Sequence, residues 1–60
     1  MMKCIKGSFI TVNKFITEDL ELIYVYPFQN LWNEIEDKIG YEVFIQIDKN
    51  NFVKDCVFVL

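Results

Sequence analysis

The sequence contains no histidine, no arginine and no alanine, and it has only one proline and two glycines. Histidine is the commonest general base and metal ligand in proteins, so its absence excludes Ser–His–Asp and Cys–His catalytic arrangements. Two glycines are too few for a glycine-rich phosphate-binding loop. We therefore expect a protein that is not an enzyme, with no catalytic residues, no metal site and no cofactor.

Long hydrophobic runs and a cysteine framework are also lacking. No apolar stretch approaches the roughly 20 residues that span a bilayer, and Met1-Met2-Lys3 leads into an alternating segment without a signal-peptide core. The two cysteines, Cys4 and Cys56, are too few for a secreted disulfide scaffold and lack CxxC spacing. We expect a cytoplasmic protein without membrane association and two reduced, buried cysteines, while a bridge between strands stays open.

Positive charge is scarce, because six lysines face nine acidic residues and the net charge is −3. Without arginine or a dense lysine patch, nucleic-acid binding is the least favoured function. Between Glu18 and Glu42, seven acidic residues stand against Lys38 alone. The sequence predicts that four polar residues of this segment form a surface for a basic protein partner, and the alternative is an ordinary solvated face. These residues are Asn33, Glu34, Glu36 and Asp37.

Apolar residues are abundant, since 53% of the 60 residues are hydrophobic and 17% are aromatic. A chain of this length forms one domain, residues 1–60, and buries only about 60% of its unfolded surface. Phe, Tyr, Met, Ile, Asn and Lys supply 30 of the 60 residues, which indicates an AT-rich genome through the genetic code. Small size and acidity are also typical of phage or mobile-element inhibitors of host proteins, which is an argument from analogy.

One helix is predicted, over Pro27–Gly40. Five apolar residues recur at helical spacing and form a single stripe: Phe28, Leu31, Trp32, Ile35 and Ile39. Pro27 suits the first helical position, and Gly40 suits the left-handed residue after the helix. Because Trp32 lies on the stripe, we expect it to pack in the core.

The rest of the chain predicts strands over 3–16, 20–26, 41–47 and 52–60. Gly7 indicates a bulge or a close backbone approach. Thr17–Asp19 is preferred over Asn13-Lys14 as the first turn, and Asp48–Asn51 is a strong turn signal. The predicted fold is α+β with the order β-β-α-β-β, in which one amphipathic helix covers one face of a four-stranded, mostly antiparallel sheet.

A single helix leaves the second face of such a sheet uncovered. Alternation puts Val43, Ile45, Cys56, Phe58 and Leu60 under the helix. It puts four other apolar residues on the opposite face: Phe44, Val53, Val57 and Val59. Burial of this second face against a second copy predicts a homodimer, packed either face to face or edge to edge.

The leading functional hypothesis is a non-enzymatic protein-binding module that forms a homodimer and inhibits a host protein. The alternative is a small-molecule-binding domain. Its ligand would lie between sheet and helix or at the dimer seam, near Tyr24, Tyr26 and Tyr41.

Overall fold

Apolar residues recur at every second position in most of the chain, and they form six β-strands in the computed structural model, which describes residues 2–59. The strands are β1 (Lys3–Thr11), β2 (Lys14–Thr17), β3 (Leu22–Tyr24), β4 (Tyr26–Pro27), β5 (Glu42–Ile47) and β6 (Phe52–Phe58). They form one sheet in the order β3-β2-β1-β5-β6-β4, antiparallel except for the pair β4 and β6. The α+β class and the mostly antiparallel sheet are confirmed, whereas the prediction of four strands is wrong.

The first predicted strand, residues 3–16, is folded into the hairpin of β1 and β2. Its turn lies at Val12-Asn13, between the paired residues Thr11 and Lys14. The Asn13 main-chain N–H donates to the Thr11 hydroxyl at 3.2 Å, a local bond that favours a turn over a strand. The preferred turn at Thr17–Asp19 also exists, so this region contains two turns where one was predicted.

The second predicted strand, residues 20–26, is divided between opposite edges of the sheet. β3 lies at one edge and β4 at the other, and only Val25 separates them in the chain. The Val25 N–H donates to the Asn13 carbonyl and the Tyr26 N–H to the Asn51 carbonyl, both at 2.9 Å. The sheet therefore curls until its two edges meet at Val25, and its concave side encloses most of the core by itself.

The core fills this concave side. Its buried residues are Phe9, Phe15, Val25, Ile35, Val43, Ile45, Ile47, Val53 and Cys56. Phe44 pairs with Val57 and Ile45 with Cys56, so each of these pairs shares a face of the sheet as predicted. The placement of Val53 on the outer face is wrong, because a register shift after Gln46 pairs Val53 with Ile47 and turns it inward. Leu60 lies outside the described residues.

The predicted helix is much shorter than 27–40. A 3₁₀ turn (Gln29–Leu31) leads into α1 (Trp32–Asp37), and neither has a side-chain cap at its N-terminus. Pro27 is not a helix start, since it belongs to β4 and pairs with Val53. Without a capping residue, so short a helix depends on tertiary packing, which here comes from Ile35 alone as a fully buried contact.

The expectation that Trp32 packs in the core is also wrong, because 43% of the residue is exposed. Its indole Nε1–H donates to the Pro27 carbonyl at 2.9 Å. The bond holds the ring at the surface of the molecule, where it is only partly covered.

Turn chemistry accounts for the remaining connections. Asp48 accepts hydrogen bonds from the Asn50 and Phe52 N–H groups at 2.8 and 3.0 Å, and Asn51 has a φ of 66°. Partial burial tends to raise the pKa of Asp48, but the two N–H donors outweigh it and the pKa is lowered. The turn predicted at Asp48–Asn51 is confirmed. Gly40 has the predicted left-handed conformation, with a φ of 86°.

Gly7 marks a close approach between β1 and β2. A Cβ at this position would overlap the Ile16 carbonyl oxygen and lie 2.7 Å from the ring of Phe15. The strands can cross this closely only because glycine has no side chain, and the Phe15 ring covers the space that remains.

Candidate functional site

The segment from Leu20 to Phe28 exposes an apolar side chain at every second residue. These five residues, which we call the 20–28 stripe, are Leu20, Leu22, Tyr24, Tyr26 and Phe28, and they are 80, 50, 56, 48 and 42% exposed. Three of the residues between them face inward, since Val25 and Pro27 are buried and Ile23 is half-buried, whereas Glu21 is exposed. A row of apolar side chains this long on the surface of a small protein commonly marks an interaction site.

Aromatic rings from two neighbouring elements widen the far end of the stripe. The Tyr26 and Phe52 ring centroids are 5.7 Å apart, as a result of the parallel pairing of β4 with β6. The Lys54 ammonium lies 4.5 Å from the centroid of the Phe28 ring. Phe52 and Trp32 are themselves 42 and 43% exposed. Aromatic side chains of this kind are enriched in protein interfaces, since they bury much area at little entropic cost.

The near end of the stripe runs along an open edge of the sheet. Among the residues that the structure describes, β2 is the only strand paired with β3. Val25 N–H bonds to Asn13, and Glu21 O accepts from Thr17 N–H at 2.9 Å, so residues 21 and 25 point their main-chain groups toward β2. Alternation along a strand then directs the main-chain groups of Leu22 and Tyr24 away from β2, into the open edge.

One of these outward groups is already used. The Tyr24 carbonyl accepts a hydrogen bond from the Asn51 side-chain amide at 3.0 Å. This bond joins β3 to the turn before β6 and confirms the direction in which Tyr24 points. The open part of the edge therefore begins at the Tyr24 N–H and continues to Leu22.

Acidic residues surround the turn that precedes β3. Glu18, Asp19 and Glu21 are all exposed, and Leu20 stands among them with a φ of 66°. Lys6 Nζ lies 3.5 Å from Glu18 and 2.9 Å from Glu42, and hydrogen bonding and charge from Glu42 are the main reasons why the pKa of Lys6 is raised. Lys6 thus neutralises acids from two distant parts of the sequence.

The predicted partner-binding residues lie together on α1. Asn33, Glu34, Glu36 and Asp37 are all exposed, and Glu34 pairs with Lys38 at 3.6 Å. The acidic face therefore exists as a surface, beginning one residue after the exposed ring of Trp32.

Three of the four predicted dimer residues form a small outer patch. Phe44 pairs with Val57 on neighbouring strands, and the Val59 N–H donates to the carbonyl of Glu42, two residues before Phe44. All three apolar residues are exposed. Lys6 Nζ lies 5.4 Å from the Phe44 ring centroid. Val53 is absent from the patch because it is fully buried, so the patch is smaller than the sequence predicts.

The small-molecule hypothesis places a ligand near three tyrosines, and the two main depressions in the described part of the chain lie elsewhere. Two open depressions of about 250 and 320 Å³ lie on either side of Glu18, and neither is lined by Tyr24, Tyr26 or Tyr41. Within residues 2–59 there is no buried polar side chain and no group of three side chains able to hold a metal ion. The geometry gives a small ligand few polar groups for orientation.

The two cysteines are free and lie on opposite faces of the sheet. Cys4 is exposed, contrary to the prediction that both are buried, and Cys56 is in the core. Burial, with charge from Glu34, raises the pKa of Cys56 to about 11, so its thiol stays protonated and unreactive near neutral pH.

No helix in the described part of the chain is long and apolar enough to cross a membrane. Comparisons with protein-family models, with curated proteins and with solved structures find no match for this chain.

Sequence reasoning missed the stripe as a site, although the signal was present. One face of the predicted second strand contains Leu20, Leu22, Tyr24 and Tyr26. This pattern is typical of a strand in the interior of a sheet. What identifies the stripe as a surface is the edge position of β3, and strand order is not readable from alternation.

Proposed function

We propose that this chain is a non-enzymatic protein-binding module and that the 20–28 stripe is its partner-binding surface. The observation that carries the proposal is the exposure of all five stripe residues, together with the aromatic rings of Phe52 and Trp32 beside them. The chain has enough apolar residues to fill its core, yet it leaves these seven in water. A protein partner is the occupant that such a row of exposed apolar and aromatic side chains suits best.

The acidic residues define the chemistry of this partner. Glu18, Asp19 and Glu21 lie at one end of the stripe, and the acidic face of α1 begins next to Trp32. A partner with lysine or arginine around an apolar centre complements both regions. Inhibition of a host protein is one task that this mode of binding would serve. The two free cysteines are compatible with work in the cytoplasm.

Self-association is the second part of the proposal, and Phe44, Val57 and Val59 are its surface. The patch lies between Lys6 and Asp55, which are charges of opposite sign. A second copy packed on the patch would cover the exposed parts of Phe44, Val57 and Val59, so the patch suits a second copy. Sedimentation of the wild type and of Val57→Glu at micromolar concentration tests this. A wild type that stays monomeric at high concentration overturns the dimer.

Position-specific photo-crosslinking tests the partner surface. Benzoylphenylalanine replaces Tyr24 in one variant and Tyr41 in a control, since both tyrosines are about half exposed and only Tyr24 belongs to the stripe. We expect a covalent adduct with one partner protein from Tyr24 and none from Tyr41. The adduct should disappear when Leu22→Asp is added.

Two results contradict the proposal. One is an equal adduct from both positions, which would indicate non-specific capture. The other is an adduct at Tyr24 that Leu22→Asp leaves unchanged, since the stripe would then not contribute to binding. Circular dichroism of every variant establishes that each of them is folded.

A further inference from the structure

The edge strand β3 has main-chain groups that nothing in the sheet uses. β2 occupies one side of β3, and the N–H and C=O of Leu22 and the N–H of Tyr24 point to the other side. Proteins usually blunt such edges with charge, proline or a covering element, because an open edge can add a further strand. Here the edge carries exposed Leu22 and Tyr24, so the side chains next to the free groups are apolar.

The opposite edge of the sheet, along β6, is protected in the way that is usual for edge strands. The Cys56 N–H on β6 donates a hydrogen bond to the Asp55 carboxylate at 2.9 Å. Lys38, which follows α1, lies against the same region, with its ammonium 5.4 Å from the Phe58 ring centroid. Within residues 2–59, a side chain bonds the outward Cys56 N–H of β6, whereas on β3 only the Tyr24 carbonyl has such a bond and the N–H groups of Leu22 and Tyr24 have none.

We propose that β3 is the docking edge for an extended segment of the partner, which adds to the sheet as a seventh strand. This rests on the proposed protein-binding function and states how the partner binds. Main-chain hydrogen bonds to Leu22 and Tyr24 supply affinity, and alternate side chains of the added segment contact the stripe.

Charge determines which segment fits. Glu18, Asp19 and Glu21 lie at the start of β3, and of these only Glu18 has an ion pair in the described structure. A segment that alternates apolar residues with lysine or arginine offers one face to the stripe and positive charge to these carboxylates. A second copy of the chain fits less well, because it carries the same acidic residues beside β3 and brings no positive charge to these carboxylates.

The test uses a synthetic peptide of alternating valine and lysine, with a valine–glutamate peptide as control. In ¹⁵N-labelled protein, the lysine peptide should shift the amide signals of Leu22 and Tyr24 and slow their hydrogen exchange. The glutamate peptide should do neither. Leu22→Pro removes the outward N–H at an edge position where proline is tolerated, and Leu22→Ala is its matched control for the side chain.

We expect Leu22→Pro to bind the lysine peptide roughly tenfold more weakly than Leu22→Ala does, the equivalent of one main-chain hydrogen bond. Asp19→Asn with Glu21→Gln should weaken binding further, and this effect should shrink as salt rises.

Equal affinities of Leu22→Pro and Leu22→Ala overturn strand addition while leaving the crosslinking test of the stripe unaffected. Protection of Leu22 and Tyr24 that grows with protein concentration and needs no peptide identifies a second copy as the occupant and also overturns it. If the lysine peptide shifts no amide signal of Leu22 or Tyr24, strand addition is likewise overturned.

Discussion

Replacing Gly7 with alanine should be among the most damaging single-methyl changes in this protein. The added Cβ would overlap the Ile16 carbonyl oxygen, which is backbone and belongs to the ladder between β1 and β2. It would also lie 2.7 and 2.9 Å from two atoms of the Phe15 ring. The ring could turn aside, but the carbonyl can move only if the two strands separate.

The magnitude follows from two contributions. Overpacking costs about 1–3 kcal/mol, and a disturbed ladder hydrogen bond adds about 1 kcal/mol. A chain of this length has a total stability of roughly 3–9 kcal/mol. At about 4–8 °C per kcal/mol, Gly7→Ala should lower Tm by roughly 10–30 °C.

Gly40→Ala is the matched control, because the chain has only these two glycines. Gly40 has a φ of 86° with no atom within 4 Å of an added Cβ, so its replacement adds only backbone strain of about 1–2 kcal/mol. Urea unfolding followed by circular dichroism compares the two. Phe15→Leu should not rescue Gly7→Ala, since the carbonyl stays in place. A Gly7→Ala variant as stable as Gly40→Ala would refute the reasoning.

Three further predictions follow from contacts described above. Trp32→Phe should lower the free energy of unfolding by about 1 kcal/mol, because the hydrogen bond to Pro27 is lost. Trp32→Ala should lower it by less than the roughly 3–5 kcal/mol typical of a buried tryptophan. Larger losses in urea unfolding would indicate that Trp32 is a core residue. Because burial raises the pKa of Cys56 from 9.0 to about 11, the unfolded chain loses this proton first, and stability should fall as pH rises from 9 to 11. Cys56→Val should reduce that slope in thermal melts, while a thiol reagent at neutral pH should label Cys4 alone; an unchanged slope contradicts the assignment. Reversing Glu34, Glu36 and Asp37 to lysine should weaken partner binding at low salt and leave the fold intact, and unchanged affinity would make this face an ordinary solvated surface.

Much of the fold was readable from period-two alternation. Tyr41–Ile47 and Phe52–Leu60 predict β5 and β6 closely, because the turn at Asp48–Asn51 has side chains that bond locally and fix the register at Phe44 and Val57. Alternation does not reveal a register shift, so Val53 was assigned to the wrong face. Alternation also gives no strand order, so it does not predict that β3 and β4 lie at opposite edges of the sheet.

The helix shows the opposite limit. The apolar residues of Pro27–Gly40 do recur at helical spacing. The helix is nevertheless short, because Pro27 belongs to β4 and the helical turns that follow lack a capping residue. Tertiary pairing with Val53 overrides local propensity there. The candidate site depended on this same region, because the exposure of Tyr24, Tyr26 and Trp32 follows from edges that only the three-dimensional arrangement defines.

The single residue between β3 and β4 also constrains how the molecule can open. Val25 binds the β1–β2 turn through Asn13, and its neighbours Tyr24 and Tyr26 bind Asn51 before β6. A slip of β3 along β2 would therefore drag β4 along β6, so neither pairing can change register alone. Both ends of the sheet must release together, and amide exchange at Val25 should occur only through global unfolding. The strand that we propose as the docking edge is thus fixed at its C-terminal end by the hydrogen bonds around Val25.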